Sequence, residues 1–311
     1  MDRYQTIDAF RGLAILGMVF FTVTLRLCNN LPDILRHNVW GSVHLGDFIL
    51  PMFLFASGLS LAFYFQKYEK KILHKKVIRR FIILVLIGIS LSTFSAYGFL
   101  EMDEVMLSAL LFIACIALYK IDWKIILGVI FIINLSYIAL MQLNYESIFV
   151  GHYLGGYPAA LYYLPVMLTG LLIGKEIISN RLWSNKNKLT IFIISVFFVL
   201  FWFLIPMNKM TATPSFIMLS ILFSFLVFIF MEKITSLSIS FKRLLNLGKK
   251  PLRYWLIMYI VFLIPLWFYI EFYKLNLPLN LQWYIAVIIS FGLMIIFYIV
   301  SCSIEYINVS N

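Results

Sequence analysis

The chain has 311 residues, of which 63% are hydrophobic and only 13% are charged, and its mean hydropathy is +0.96. Soluble domains are roughly half apolar and about a quarter charged, so this composition excludes an ordinary soluble protein and indicates an integral membrane protein. The net charge of +11 does not indicate nucleic-acid binding, because basic loops of a membrane protein set its orientation and contact anionic lipid headgroups.

Ten apolar stretches approach the roughly 20 residues that a helix needs to cross hydrocarbon. In chain order they lie at about 9 to 27, 44 to 66, 78 to 99, 104 to 119, 122 to 141, 158 to 178, 189 to 206, 213 to 232, 252 to 271 and 282 to 304. The fourth stretch is short, and the turn around Lys120, Asp122 and Lys124 is also compatible with a re-entrant bend. The stretches predict an all-α fold, a polytopic membrane bundle of about ten transmembrane helices.

The predicted bundle is a single transmembrane domain over residues 1 to 311, because no linker-like run interrupts the chain. The cysteines Cys28, Cys115 and Cys302 lie in or beside different apolar stretches and have no metal-like spacing. The sequence therefore predicts neither a disulfide nor a metal site.

Basic residues are distributed unevenly between alternate loops. With a cytoplasmic N-terminus, all but four of the 25 Lys and Arg residues fall on the cytoplasmic side, the exceptions being Arg26, Arg36, Lys209 and Lys274. Short loops rich in Lys and Arg stay in the cytoplasm, so both termini are predicted to be cytoplasmic. The plasma membrane is the simplest location, since the first apolar stretch carries no cleavage pattern and is expected to remain as the first helix.

Polar residues concentrate in residues 36 to 51, at the outer end of the second apolar stretch. If this region is helical, four side chains fall within about 80° of one another at 100° per residue. They are His37, Trp40, His44 and Asp47. The pattern indicates a shared polar face near the outer surface.

Asp47 is expected about one turn below that surface, where an ionisable side chain turns toward the bundle interior or a wet cavity. It needs a partner, and His44 is the nearest, with Arg36 and Lys209 as outer-side candidates. A helix-packing hydrogen bond competes with a functional role. Pro51 predicts a kink in the same helix.

His37 is the candidate general base, because the reference pKa of histidine lies near neutral pH and the ring can accept a proton from an attacking amine or hydroxyl. The alternative is an interfacial belt in which His37 and Trp40 anchor the helix at the membrane surface.

Four stretches match a known pattern. The first is residues 7 to 15 (Ile-Asp-Ala-Phe-Arg-Gly-Leu-Ala-Ile), and the second is the spacing of His37, Trp40, Asp47 and Pro51 followed by Phe53, Phe55 and Gly58. The third is residues 163 to 174 (Tyr-Leu-Pro-Val-Met-Leu-Thr-Gly-Leu-Leu-Ile-Gly), and the fourth joins residues 206 to 209 with 247 to 252. In these stretches the chain resembles the catalytic region of the heparan-alpha-glucosaminide N-acetyltransferase family of multispanning acyltransferases. The spacing in the second stretch is the most specific match.

The resemblance implies that acetyl-CoA binds from the cytoplasmic side and that its acetyl group passes to an amino sugar on the far side. It implies catalytic roles for His37 and Asp47, with Trp40, His44, Asn208 and Lys209 on the acceptor side. The candidates for neutralising the CoA phosphates are Arg11, Lys249, Lys250 and Arg253. For Arg11 the alternative is a helix-end ion pair with Asp8.

The outer loops offer further candidates. Asn208 and Lys209 follow Pro206, so they either bind the acceptor or the developing oxyanion, or form an ordinary turn. His152, with Tyr153 and Tyr157, is a weaker carbohydrate-binding candidate.

Two departures from the family pattern concern specificity. Thr22 stands where the family has an asparagine, and His44 stands where a threonine is common. A second catalytic amide is therefore expected to be absent, and the acceptor is expected to differ.

Two mechanisms stay open. In the first, His37 deprotonates the acceptor, which attacks the thioester directly; in the second, His37 is itself acetylated and then passes the acetyl group on. The alternative activities are O-acylation of surface polysaccharide hydroxyls and, from another class, secondary transport, although no internal repeat supports a transporter. The expected partners are acetyl-CoA, an amino sugar or glycan and membrane lipids, and a homodimer is compatible with the sequence.

Overall fold

The computed structural model describes residues 5–28, 30–36, 42–67, 73–94, 102–143, 156–179, 184–236, 242–273 and 281–309. Every regular element within these residues is helical, which confirms the all-α prediction for them. The α-helices are α1 (Gln5–Leu27), α2 (Ile49–Lys67), α3 (Leu73–Phe94), α4 (Glu104–Leu118), α5 (Trp123–Gln142), α6 (Gly156–Ile178), α7 (Asn185–Leu204), α8 (Pro214–Ser236), α9 (Lys242–Lys249), α10 (Pro251–Met258), α11 (Ile264–Tyr273) and α12 (Trp283–Val309). Short 3₁₀ turns lie at Asp33–Leu35 and Leu45–Phe48, and a π-helical turn, Tyr259–Leu263, joins α10 to α11.

The length and hydropathy of its helices identify the chain as a multispanning membrane protein. Within the described residues, six helices are long and apolar enough to cross a membrane, namely α1, α2 with the 3₁₀ turn before it, α5, α6, α7 and α8. Shorter apolar helices occur at Glu104–Leu118, Pro251–Leu266 and Trp283–Ile299. The total of about ten crossings stays a prediction.

The helix boundaries differ from the sequence prediction in two places. α3 begins at Leu73 rather than at 78, because the basic residues before its apolar part are good helix formers and continue the helix. The basic stretch before residue 252, predicted as a loop, contains the short helix α9. α9 is amphipathic, since Leu244 and Leu247 are buried whereas Arg243 and Lys249 are exposed.

The chain divides into two compact units. Among the described residues, the first unit contains 42–43 and those between Leu54 and Phe225, and therefore holds most of α2, α3 to α7 and the first half of α8. The second unit contains the described residues before 37, His44–Phe53 and those from Leu226 onward, and so holds α1, the second half of α8 and α9 to α12.

In the first unit, α6 is the central helix and packs against α4, α5 and α7. Its contact with α2 is made backbone to backbone through two glycines. Gly58 of α2 faces the carbonyl group of Met167, and Gly170 of α6 faces the carbonyl group of Phe55. A Cβ atom at either glycine would overlap the facing backbone, so the two helices approach closely, as small residues allow in membrane bundles.

In the second unit, α1 is the central helix and packs against α9, α10 and α12. Gly12 of α1 faces the carbonyl group of Leu244, and Gly248 of α9 faces the carbonyl group of Asp8. Neither glycine leaves room for a Cβ atom, which brings the amphipathic helix α9 directly onto the backbone of α1.

The second half of α8 also contacts α1 within the second unit. The hydroxyl oxygens of Thr6 and Thr235 lie 2.9 Å apart, and the rings of Phe10 and Phe228 meet edge to face with their centroids separated by 5.7 Å. One polar and one aromatic contact thus fix this part of α8 against the first three turns of α1.

The contact between α1 and α9 generates a prediction about stability. Gly248→Ala is expected to lower the free energy of unfolding of the detergent-solubilised protein by about 1–3 kcal/mol, because the new methyl group overlaps backbone that has no room to move. The matched control is Gly128→Ala in α5, where an added Cβ meets nothing within 4 Å and alanine favours the helix by about 0.5–1 kcal/mol. Thermal unfolding of both variants tests this, and equal midpoints would contradict the packing described.

Candidate active site

Asp47 is completely buried in the 3₁₀ turn that precedes α2. Its Oδ2 accepts a hydrogen bond from the backbone N–H of His44 at 2.9 Å, and its own N–H donates to the carbonyl oxygen of His44 at 3.0 Å. The two residues therefore close the turn reciprocally. His44 is the expected partner of Asp47, and its backbone N–H and carbonyl oxygen make these two contacts.

The assumption that this region is α-helical is wrong for residues 42–48, where residues 45–48 form a 3₁₀ turn. His44 has the extended conformation φ −119°, ψ 164°, and the α-helix begins only at Ile49. Asp47 and His44 are therefore neighbours across a turn and do not share a helix face. Pro51 lies in the first turn of α2, where its missing N–H costs no hydrogen bond, so the predicted kink does not arise from it.

The predicted partner Arg36 is occupied elsewhere. Its guanidinium pairs with Asp33 at 3.2 Å and its Nε donates to the carbonyl oxygen of Leu31. Both contacts lie within the short 3₁₀ segment after α1, so Arg36 closes that segment and is not the partner of Asp47.

The 3₁₀ turn that carries Asp47 packs against the C-terminal half of α1. A Cβ atom on Gly46 would lie 2.8 Å from the ring of Phe21, and one on Gly17 would lie 2.6 Å from the side chain of Ile49. These two close approaches hold the turn against α1. Asp47 therefore lies in a turn that is packed on α1. His37 and Trp40, which complete the predicted polar cluster, lie outside the described residues, as do His152 and Tyr153.

A buried ion pair lies near the start of α1. Arg11 pairs with Asp8, and their side chains are 11% and 4% exposed. The alternative of a helix-end ion pair is therefore present in the structure, at a position where the carbonyl group of Asp8 also faces Gly248. A buried pair of this kind needs good geometry and further hydrogen bonds to offset its desolvation.

Three more cations surround the corner between α9 and α10, which both pack against α1. The side chains of Lys249, Lys250 and Arg253 are all exposed. Lys250 is the residue that precedes the first helical position of α10, which is occupied by Pro251. Of the four predicted CoA contacts, the structure buries Arg11 and exposes the other three on neighbouring elements of the same unit.

Asn208 and Lys209 lie in a buried polar loop of the first unit, between α7 and α8. Their side chains, and those of Thr211 and Thr213, are at most 7% exposed. Oδ1 of Asn208 accepts from the backbone N–H groups of Met210 at 2.7 Å and Thr211 at 3.3 Å, and the N–H of Asn208 donates to Oγ1 of Thr213 at 2.9 Å. Asn208 therefore uses its carbonyl oxygen to hold the loop itself.

The loop places Lys209 in an unusual environment for a lysine. Its side chain is only 7% exposed, and burying an ammonium group is costly unless the surroundings compensate for the lost water. Ala212, at the end of the same turn, adopts φ 54°, a left-handed conformation that non-glycine residues rarely take. Such strain persists only where the surrounding structure determines the conformation.

Tyr163 of α6 is a site residue that the sequence did not single out as functional. Its hydroxyl donates to the carbonyl oxygen of Lys209 at 2.7 Å, and its side chain is completely buried. Tyr163 opens the stretch from 163 to 174, so its position was visible, but its contact with a loop 46 residues away was not.

Metal-ligating and redox residues contribute little to the described part of the site. No group of three or more His, Cys, Asp or Glu side chains capable of holding a metal ion occurs among the described residues. Cys28 and Cys115 are free and buried in separate helical regions. The absence of a metal stays a prediction.

The comparison with known protein families covers the N-terminal two thirds of the chain. The family model described as heparan-alpha-glucosaminide N-acetyltransferase, catalytic, matches residues 3–203, well over half of the chain. The match includes the stretches at 7 to 15, 37 to 58 and 163 to 174, whereas residues 206 to 209 and 247 to 252 lie beyond it. A comparison with curated proteins finds no match. The chain therefore belongs to the heparan-alpha-glucosaminide N-acetyltransferase family by its catalytic region, and it is a membrane-bound acetyltransferase of a family that uses acetyl-CoA.

Proposed function

We propose that this acetyltransferase moves the acetyl group of cytoplasmic acetyl-CoA to an amino sugar, glucosamine-like in character, on the opposite face of the plasma membrane. The observation that carries the proposal is the match to the catalytic family over residues 3–203. The charge distribution supports the direction, because the basic loops belong on the cytoplasmic side. With about ten crossings, both termini are cytoplasmic and His37 is extracytoplasmic.

The donor end of the proposed site is the α9–α10 corner. Lys249, Lys250 and Arg253 are exposed there, and the corner packs against the helix that carries Arg11. Cations in this arrangement suit the phosphate groups of CoA, since charge-assisted hydrogen bonds to phosphate are short and strong. Arg11 is engaged by Asp8, so its role is to supply positive charge behind the three exposed side chains.

The acceptor end of the proposed site is the segment that ends in the Asp47 turn. His37 takes the proton from the acceptor amine as its nitrogen attacks the thioester carbonyl. A carbon–nitrogen bond forms, the carbon–sulfur bond breaks, and CoA leaves as a thiolate that takes up a proton. In the alternative route the His37 ring carries the acetyl group between the two steps. Trp40 and His44 line the acceptor side.

Asp47 closes the turn at the C-terminal end of this segment. Its carboxylate holds the N–H of His44 at 2.9 Å in a turn that is packed on α1. The proposed role of the charge is to favour the protonated ring of His37 during transfer. Lys209, held in its buried loop by Asn208 and Tyr163, is proposed to contact the acceptor or the developing oxyanion.

A transfer assay tests the proposed function. Purified wild-type protein in detergent, supplied with radiolabelled acetyl-CoA and glucosamine, is expected to yield labelled N-acetylglucosamine, and His37→Ala is expected to lower kcat by about 100-fold or more. A panel of hydroxyl acceptors runs in parallel. Label on hydroxyls alone would assign O-acylation, and full activity in His37→Ala would remove the histidine from the mechanism. No consumption of thioester with any acceptor would contradict the proposed function.

Two substitutions of Asp47 separate its charge from its hydrogen bond. Asp47→Asn keeps an oxygen that accepts from His44 and is expected to unfold near the wild-type temperature, but with kcat lowered about tenfold because the charge is lost. Asp47→Ala loses both, and removal of such a cap costs about 1 kcal/mol of stability. Thermal unfolding and initial rates measure both effects. Wild-type kcat in Asp47→Asn would show that Asp47 acts only as a cap.

A further inference from the structure

The helix α3 of the first unit carries positive charge that no acidic residue of the same helix balances. It contains four Lys and Arg residues and no Asp or Glu. Two of the four, Arg79 and Arg80, are adjacent and exposed. No ion pair joins either guanidinium to a carboxylate among the residues that the structure describes. Two unbalanced charges side by side repel each other and attract an anion.

Arg80 is held in place by an aromatic ring of the neighbouring helix. Its guanidinium carbon lies 5.2 Å from the centroid of the Phe112 ring in α4. This cation–π contact stabilises the charge without a hydrogen-bond acceptor, so it consumes none of the five N–H donors of the guanidinium. Arg80 is therefore positioned next to Arg79 with its donors available to an oxyanion.

An exposed aliphatic stripe continues from Arg79 along α3. Ile82, Ile83 and Leu86 are 40 to 58% exposed. They follow Arg79 by three, four and seven residues, so they lie within about 60° of it on the helix and extend for about 10 Å along the axis. The opposite face of α3 packs on α4, where a Cβ atom on Gly88 would overlap the facing residue. We call Ile82, Ile83 and Leu86 the aliphatic stripe.

The order of charge and apolar surface along α3 matches the order in a lipid leaflet. The N-terminal end of α3 is predicted to be cytoplasmic, because the preceding loop is rich in Lys and Arg. Side chains on a helix tilt toward its N-terminus, and long basic side chains extend their charge toward water. The two guanidinium groups are therefore expected at the depth of the cytoplasmic headgroups, with the aliphatic stripe beside the hydrocarbon.

We propose that Arg79, Arg80 and the aliphatic stripe bind an anionic phospholipid of the cytoplasmic leaflet. The planar guanidinium groups pair with the phosphodiester oxygens, and an acyl chain lies along the stripe. A soluble phosphate would gain nothing from the stripe, and a zwitterionic lipid would bring a positive charge toward the arginines. The site uses none of the residues assigned to the acetyl donor or the acceptor.

Titration with short-chain lipids tests the proposal. Delipidated wild-type protein in a neutral detergent is expected to unfold at a higher temperature when dioctanoyl phosphatidylglycerol is added, because a ligand that binds only the folded state stabilises it. Dioctanoyl phosphatidylcholine and inorganic phosphate are expected to leave the unfolding temperature unchanged. An equal shift with inorganic phosphate would assign a site for soluble anions, and an equal shift with phosphatidylcholine would leave only an ordinary hydrocarbon contact. Either result would overturn the proposal.

The double substitution Arg79→Gln and Arg80→Gln removes both charges. It is expected to raise the apparent Kd for dioctanoyl phosphatidylglycerol about 30-fold, since each basic residue near an anionic surface contributes about fivefold in affinity. The matched control is Lys124→Gln. Lys124 is exposed and precedes the exposed Ile125, but Asp122 lies two residues before it. Its loss is expected to change the apparent Kd by about twofold at most, because an exposed charge near an opposite charge is largely screened.

The single substitution Arg79→Gln tests the same site if the double variant does not fold. It keeps the contact between Arg80 and Phe112, so its unfolding temperature without lipid is expected to equal that of the wild type. The apparent Kd for dioctanoyl phosphatidylglycerol is expected to rise about fivefold. An unchanged apparent Kd in Arg79→Gln, or an equal increase in Lys124→Gln, would overturn the proposal.

Discussion

Hydrocarbon offers no hydrogen-bond partner, so a buried polar side chain in a membrane-spanning chain must find its partner within the protein or in a ligand. Asp8 meets Arg11, Asp47 closes a turn on the N–H of His44, and Oδ1 of Asn208 is occupied by its own loop. These arrangements account for four of the polar side chains singled out by the sequence, Asp8, Arg11, Asp47 and Asn208.

The same constraint explains why much of the fold could be predicted. Length and hydropathy are local properties, and the long apolar stretches become helices at nearly the expected residues, such as Trp123–Gln142 for the stretch at 122 to 141. α9 was missed because an eight-residue amphipathic helix is far shorter than a membrane span. Its stability comes from burial of Leu244 and Leu247, which periodicity in a basic loop only weakly indicates.

The site was less predictable from the sequence than the fold. Residues three apart, such as His44 and Asp47, are close together both on a helix face and across a capped turn. The sequence analysis considered the helix, whereas the structure has the turn. The contact of Tyr163 with Lys209 joins a helix to a distant loop and has no local signal. His37 and Trp40 lie outside the described residues, so their roles depend on the family match.

The central claim is that the acetyl group enters from the basic face and leaves on the other. The most direct measurement uses proteoliposomes sorted so that the basic loops face outward, with glucosamine trapped inside and radiolabelled acetyl-CoA added outside. The account predicts labelled N-acetylglucosamine inside the vesicles, and none when the positions of donor and acceptor are exchanged. Product that forms only when donor and acceptor are on the same side of the membrane would contradict it.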